Sequence, residues 1–102
     1  MTAQFRLTPR AAADLDEIAD YTIVEWGPAQ MEDYLRSLNK RFEWLARNPF
    51  AGRERDDVHP RYRSFPEGSH IIFYIVSDEY VDIIGIPHKS IDIGPGILSI
   101  PD

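Results

Sequence analysis

The sequence predicts a two-layer α+β fold, in which a pair of helices packs across one face of a small antiparallel sheet. Two apolar patterns with helical spacing fill the first half of the 102-residue chain, and each begins at a proline. Three short strand-like segments with brief polar links follow, and such links favour antiparallel pairing. Each helix has an apolar side that must be buried, and one face of the sheet is the surface on which both helices can pack. This length suits one domain over residues 1–102, with an irregular tail from about residue 91.

The chain opens with a short strand and a first helix. Polar and apolar residues alternate over residues 3–7, as in a strand with one buried face. Thr8 and Pro9 then predict a helix start, because threonine caps helix ends and proline is tolerated in the first turn. The apolar stripe of this helix recurs every three or four residues, at Ala11, Leu15, Ile18, Thr22 and Trp26.

A second helix follows almost at once. Gly27 and Pro28 end the first helix and begin the second, and Asn48 and Pro49 end the second. Its apolar stripe comprises Met31, Tyr34, Leu35, Leu38, Phe42 and Leu45. Because the link between the two helices is so short, we expect them to form an antiparallel hairpin.

The second half of the chain predicts a loop and three strands. Residues 49–60 are mostly polar, with proline at both ends, and are expected to form a surface loop. Strands are predicted over residues 62–65, 70–77 and 80–86. Residues 70–76 (HIIFYIV) are almost continuously apolar. This indicates a central strand that is covered on both faces, or covered on one face and flanked by a partner.

The charge of the chain limits its partners. Seventeen acidic residues against eleven basic ones give a net charge of −6, which argues against a chain that coats a nucleic-acid backbone by itself. Residues 34–63 nevertheless carry eight basic and four acidic residues. This basic middle indicates a surface that binds anions or acidic groups, although ordinary solvated helix and loop charge would give the same pattern.

Several classes of function find no support in the residues. The chain has no cysteine, which excludes disulfides and cysteine-ligated metals, and its three histidines lack the spacing of a metal site. No cofactor is expected. No apolar run approaches the roughly 20 residues of a membrane helix, and the N-terminus lacks a signal-peptide segment. We therefore expect a soluble cytoplasmic protein with no membrane partner.

A basic and aromatic cluster is the most suggestive feature for chemistry. Arg61, Tyr62 and Arg63 fall on one predicted strand, and His88 and Lys89 close the last one. If strand pairing brings these residues onto one face, they could cleave RNA, because cations stabilise the charge that develops on the phosphate. The alternative is that Tyr62 is half-buried and that the arginines hold the preceding loop through its acids.

Four segments carry a resemblance to a known family. They are LTPRAAADLDEIADYTIVEWGPAQ (7–30), RFEWLARNPFAGRERDD (41–57), RYRSFPEGSHIIFYIVSD (61–78) and VDIIGIPHKSID (81–92). In their order and spacing, the chain resembles the ParE branch of the RelE/ParE superfamily of bacterial toxin–antitoxin toxins over most of its length. The fold that this resemblance implies agrees with the order of elements predicted above.

The resemblance implies a non-enzymatic toxin of a type II toxin–antitoxin system, of the kind associated with plasmid stabilisation, that inhibits DNA gyrase. It also implies a cognate ParD-like antitoxin that holds the toxin inactive, with DNA bound only indirectly, through the complex. RelE-like relatives share the fold but cut mRNA on the ribosome. Two alternatives therefore stand beside the gyrase inhibitor, namely a ribosome-dependent mRNA endonuclease and a decayed toxin that only binds its antitoxin.

The last predicted strand departs from the pattern of the family. Gly85 stands where related toxins commonly carry arginine, and Pro87 follows shortly after it. The missing cation counts against RNA cleavage, because a scissile phosphate needs a positive charge nearby. The departure also falls where family members often contact their target, at the end of the last strand and in the tail.

An acidic antitoxin segment is expected to find both cations and apolar pockets on the toxin surface. Trp44 lies off the helix stripe and is either an exposed interface anchor or packed under the loop of residues 49–60. The residues expected to contact the antitoxin or the target are Trp26, Tyr34, Arg36, Lys40, Trp44, Arg47, Arg61, Tyr62, Arg63, His88 and Lys89.

Overall fold

The computed structural model describes residues 4–91, and it confirms the predicted α+β class with a helical hairpin on a sheet. Within these residues the elements are β1 (Gln4–Leu7), α1 (Pro9–Trp26), α2 (Pro28–Arg47), β2 (Arg53–Glu54), β3 (Tyr62–Glu67), β4 (His70–Val76) and β5 (Tyr80–Gly85). The strands form one sheet in the order β1-β5-β4-β3-β2. β1 runs parallel to β5, and the other neighbouring pairs are antiparallel.

Two further expectations concern the tail of the chain and the crossing of a membrane. The irregular tail predicted from about residue 91 lies outside the described residues from position 92 onward. Within residues 4–91, neither helix combines the length and the apolar character that a bilayer crossing requires.

Both helices begin where the prolines predict. The Thr8 side chain accepts a hydrogen bond from the backbone of Ala11 and so caps α1, and Pro9 is the first residue of that helix. Gly27 lies between α1 and α2 with φ at 91°, a conformation that glycine adopts without the steric cost of a side chain. A single residue thus reverses the chain, which explains why the two helices form a tight hairpin.

The prediction that residues 49–60 form only a loop is wrong, because β2 lies within them. Arg53 pairs with Ser64 and Glu54 pairs with Arg63, which adds a fifth strand at the edge of the sheet. Both β2 residues are charged and exposed, so the local sequence has no alternation of polar and apolar residues. Their strand conformation depends on pairing with β3, which a local pattern does not encode.

The core lies on both faces of the sheet, which is the first of the two alternatives predicted for the apolar run of β4. On the helix side, the buried residues of α2 (Leu38, Phe42 and Leu45) pack with those of β4 and β5. On the opposite side, a smaller cluster contains Val58 from the loop together with Tyr62, Phe73, Ile75 and Ile84. β4 therefore contributes to both clusters, and the alternative with one covered face does not apply.

Thr8→Ala should destabilise the protein by about 1–2 kcal/mol, because the substitution removes both a helix cap and a link to the sheet. The Thr8 hydroxyl accepts from Ala11 at 3.2 Å and lies 3.0 Å from the carbonyl oxygens of both Ile83 and Ile84. Urea denaturation measures the change. Thr8→Ser keeps the hydroxyl and should lose less than half as much; an equal loss would contradict the capping role.

Candidate partner-binding site

α1 extends past the surface that buries its apolar stripe. Ala11, Ile18 and Thr22 are buried, as the stripe predicts. Trp26 follows Thr22 by one helical turn, yet its side chain is 69% exposed. The stripe thus continues beyond the part of the sheet that covers it, and the tip of the helical hairpin presents apolar surface to solvent.

A groove of about 800 Å³ runs along α1 from Arg10 and reaches this end of the hairpin at Trp26. It is bounded by α1, the first turns of α2, the start of β4 and the chain that follows β5, and we call it the tip groove. Its lining includes Ile18, Tyr21, Trp26, Tyr34, His70 and His88. Three residues of the predicted contact set, from distant parts of the sequence, therefore meet at one site.

The hydroxyl of Tyr34 joins α2 to the turn between β3 and β4. It accepts a hydrogen bond from the backbone N–H of Ser69 at 3.0 Å and lies 3.1 Å from the carbonyl oxygen of Glu67. The same hydroxyl lies 2.6 Å from Nδ1 of His70. Because a hydroxyl has one proton, all three contacts are satisfied together only if Tyr34 donates to Glu67 and His70 donates from Nδ1. Burial raises the pKa of Tyr34, which keeps that proton in place.

His88 takes the opposite tautomer. Its Nδ1 accepts the backbone N–H of Ser90 at 3.1 Å and lies 2.7 Å from the Ser90 hydroxyl. The proton of the neutral ring is therefore on Nε2. The rings of His70 and His88 are packed edge to face, with their centroids 5.3 Å apart. Two differently protonated imidazoles thus form the floor of the tip groove at the end of the sheet.

The pKa of His70 is lowered, first by burial and then by the nearby His88, while Asp14 opposes the shift. As the pH falls through about 6.5, the unfolded chain therefore takes up a proton at this histidine before the folded chain does. The stabilisation from neutral His70 is complete above that pH and is lost as the pH falls towards the folded-state pKa.

His70→Gln should consequently show a smaller difference in melting temperature between about pH 7.5 and about pH 5.5 than the unmodified protein. Circular dichroism measures both melts. His59→Gln, which changes an exposed loop histidine, should retain the full difference. If the two variants respond equally to pH, His70 is not the group responsible.

Sequence reasoning missed three residues at the tip groove. Asp14 accepts the backbone N–H of Ile86 at 2.8 Å and so ties α1 to the end of β5. Tyr21 is 64% exposed and lines the groove, and His70 forms part of its floor. A signal for Tyr21 was present, since a large aromatic residue among the acids of a solvated helix face indicates a contact surface. Asp14 and His70 had no such signal, because their partners are distant in sequence.

Trp44 is half-buried, and neither predicted alternative describes its position fully. Its ring packs against Phe65 of β3 with a centroid distance of 5.2 Å. The guanidinium of Arg41 lies 4.9 Å from both rings, and its Nε donates to Glu67 at 2.8 Å. One edge of Trp44 remains accessible beside the exposed cations of α2.

Those cations form a second candidate contact surface. Lys40 and Arg47 are exposed and border a shallow depression of about 440 Å³ that includes Trp44, which we call the basic depression. Arg36, also predicted as a contact, instead forms an exposed ion pair with Asp33 at 3.0 Å. Surface ion pairs of this kind are weak, so Arg36 can exchange partners at little cost.

The predicted basic and aromatic cluster is not assembled. Tyr62 is only 1% exposed and belongs to the core, so the prediction that it contacts a partner is corrected. Arg63 holds the loop against β3, as the alternative predicts, but it does so mainly through the carbonyl of Gly52 at 2.8 Å, with Glu54 at 3.4 Å. Arg61 is exposed and lies immediately before β3.

The two halves of that cluster lie at opposite ends of the sheet. Tyr62 pairs with Ile75 at one end of β4, whereas His70 at the other end pairs with Glu67 and bridges to His88. The length of β3 separates them by about 17 Å. Residues 61–63 and 88–89 therefore cannot act together on one phosphate. Among residues 4–91, no three histidine or carboxylate side chains converge as a metal site.

Comparison with known proteins identifies relatives over most of the chain. Residues 5–93 match the family model described as "ParE toxin of type II toxin-antitoxin system, parDE". The chain is 39% identical over 94 residues to Toxin ParE1 of Mycobacterium tuberculosis (strain CDC 1551 / Oshkosh), an alignment covering 91% of this chain and 96% of the relative. It is 39% identical over 88 residues to Toxin ParE1 of Caulobacter vibrioides, covering 86% and 91%.

A solved structure described as "Chromosomal ParDE TA system from P. aeruginosa" has a similar fold. The TM-score is 0.72 and the sequence identity 23%, with 83% of this chain and 94% of that chain covered. At this identity the likeness supports the fold alone. The family model and the two relatives at 39% identity show the family as well as the fold, because each match covers most of the chain. This chain therefore belongs to the ParE toxin family of type II toxin–antitoxin systems.

Proposed function

We propose that this toxin inhibits DNA gyrase and that a ParD-like antitoxin neutralises it by direct binding. The match to the ParE family over residues 5–93 carries the proposal, because gyrase inhibition is the known role of that family. Both partners act in the cytoplasm, so the proposal includes that location. DNA would be bound only by the complex with the antitoxin.

The toxin acts in this proposal by adhesion, without making or breaking covalent bonds. The distribution of its reactive side chains supports this, since Tyr62 is buried and residues 61–63 lie far from residues 88–89. Gly85 adds no cation to the last strand. RNA cleavage of the RelE type requires cations and bases that converge on one phosphate, and none of these features supports it.

Antitoxin contact is proposed at two surfaces of the helical hairpin. Trp26 and Tyr34 line the tip groove and can receive apolar side chains. Lys40 and Arg47 border the basic depression beside Trp44, where an acidic stretch would find positive charge. A flexible segment that folds on binding can reach both surfaces, because it wraps the toxin without needing a rigid shape of its own.

Purified toxin added to gyrase and relaxed plasmid should reduce supercoiling or accumulate cleaved DNA. Toxin premixed with its antitoxin is the matched control and should leave gyrase unaffected. Primer extension on mRNA from cells that express the toxin should show no discrete cuts. Unchanged gyrase activity at several-fold excess would overturn the proposal: discrete in-frame cuts would then identify an endonuclease, and harmless expression a decayed toxin.

Lys40→Glu combined with Arg47→Glu should weaken antitoxin binding by about tenfold or more, because the double change reverses the charge of the basic depression. Titration calorimetry at two salt concentrations measures the effect, which should shrink as salt rises. Arg53→Glu is the control, since Arg53 is also exposed but lies on the edge strand β2. Because Arg53→Glu changes half as much charge as the double variant, a loss of binding free energy about half as large would mean that net charge alone matters.

A further inference from the structure

Large apolar side chains are concentrated around the tip groove. Tyr21 and Trp26 line it and are 64% and 69% exposed, and Ile91 lines it at 53% exposed. Val24 lies one turn beyond Tyr21 on α1 and is 82% exposed. Isolated apolar residues on a surface need no explanation, but a groove that several of them surround is typical of a docking site.

The charge around this groove is negative. Residues 14–33, which form most of α1 and the start of α2, carry seven acidic residues and no basic one. Asp14 and Glu17 line the groove itself, with Arg10 as the lining residue of opposite sign. Nδ1 of His88 accepts the backbone N–H of Ser90, so that ring carries no positive charge in this arrangement, and burial lowers the pKa of His70. An acidic segment would therefore be repelled here.

We propose that the tip groove receives an apolar segment of the antitoxin flanked by lysine or arginine. This inference rests on the proposed antitoxin contact and gives its chemistry. The apolar residues of the segment continue the core that α1 leaves open beyond Thr22, and its cations face Glu17 and the neighbouring acids of the hairpin. Because the surface around the groove is negatively charged, a segment with lysine or arginine should bind there more tightly than an acidic segment.

The two surfaces of the hairpin then require a segment with a charge gradient. The tip groove begins at Trp26, and the basic depression extends to Arg47 at the far end of α2. A helix of this length spans about 30 Å, a distance that about nine extended residues can bridge. The antitoxin segment is therefore cationic and apolar at one end and acidic at the other, and it can lie along α2 in only one direction.

Two fluorescent peptides of about 14 residues test the sign of the charge. Both carry leucine at positions 1, 4, 5, 8, 11 and 12, and one has lysine and the other glutamate at the remaining positions. Fluorescence anisotropy at low salt should show the lysine peptide binding about tenfold more tightly than the glutamate peptide. Trp26→Ala should weaken the lysine peptide by a similar factor, because it removes an apolar wall of the groove.

A charge-matched control separates the groove from the overall negative charge of the protein. Glu17→Gln with Glu25→Gln should weaken the lysine peptide about three- to tenfold. Asp78→Asn with Glu79→Gln removes the same charge from the β4–β5 turn, at the far end of the sheet, and should change binding less than about twofold. Equal losses in the two double variants would overturn the proposal, and so would equal affinities of the two peptides or binding of neither.

These outcomes can be told apart from a failure of the proposed function. Loss of antitoxin binding in Lys40→Glu with Arg47→Glu, together with no preference between the peptides, would overturn the charge assignment of the tip groove alone. Normal antitoxin binding in that variant would instead count against the proposed contact at the basic depression. The peptide assay needs no gyrase, so it stands whatever the target of the toxin is.

Discussion

Leu38→Asp is expected to lower the free energy of unfolding by about 5 kcal/mol or more. Leu38 is 0% exposed and lies in the core between α2 and the sheet, with Phe42 and Ile72 in the same cluster. The substitution removes buried apolar volume and places a carboxylate where the protein offers it no partner. Because domains of this size have a total stability of about 5–15 kcal/mol, much of the protein should be unfolded.

Urea denaturation followed by circular dichroism measures the loss. Asn39→Asp is the matched control, since it introduces the same carboxylate at the next position, where the side chain is exposed. This substitution removes the hydrogen bond that Asn39 donates to Glu43, and it should lower the free energy of unfolding by less than about 1 kcal/mol. Similar melting of Leu38→Asp and the unmodified protein would show that α2 does not pack on the sheet through this face.

Gly52→Ala should destabilise the protein by about 2–4 kcal/mol, through a collision with Tyr74. The Gly52 backbone N–H donates to the Tyr74 hydroxyl at 2.8 Å, and that hydroxyl donates to the carbonyl of Pro49 at 2.9 Å. A methyl group on Gly52 would overlap the hydroxyl end of the ring. The ring has little room to move, because Tyr74 is 0% exposed.

A double-mutant cycle with Tyr74→Phe isolates this contact. Without the hydroxyl oxygen, the added methyl group loses its most severe overlap, so Gly52→Ala should cost at least about 1 kcal/mol less than in the unmodified protein. Thermal and urea melts of the four proteins give the coupling energy. Additive costs would mean that the loop moves away from Tyr74 and that its packing does not depend on a small residue at position 52.

Much of the fold could be predicted because its signals are local. Thr8 and Pro9 predict where α1 begins, and Pro28 predicts where α2 begins, since caps and prolines act within one helical turn. The apolar run of β4 predicts a central strand, and the structure decides between its two alternatives by covering both faces. β2 could not be found in this way, because Arg53 and Glu54 are in strand conformation only through their pairing with β3.

The residues of the candidate site could likewise be predicted only in part. Trp26 and Tyr34 were selected from the sequence, and both line the tip groove. Arg63 was also selected, but it holds a loop, because its nearest acceptor is the Gly52 carbonyl. Residue type and spacing therefore indicated which side chains can form contacts, but not whether the fold leaves each of them accessible.

The amino-acid order by itself determined the two helices, the strands β3, β4 and β5, the acidic first helix and the basic second one, because each depends on neighbours within a few positions. Only the tertiary structure decided that α1 continues past the sheet, that Asp14 and the histidines meet beneath it, and that Tyr62 is buried. These features depend on the relative lengths of packed elements and on strand register, which join residues up to 72 positions apart, as in the hydrogen bond from Ile86 to Asp14.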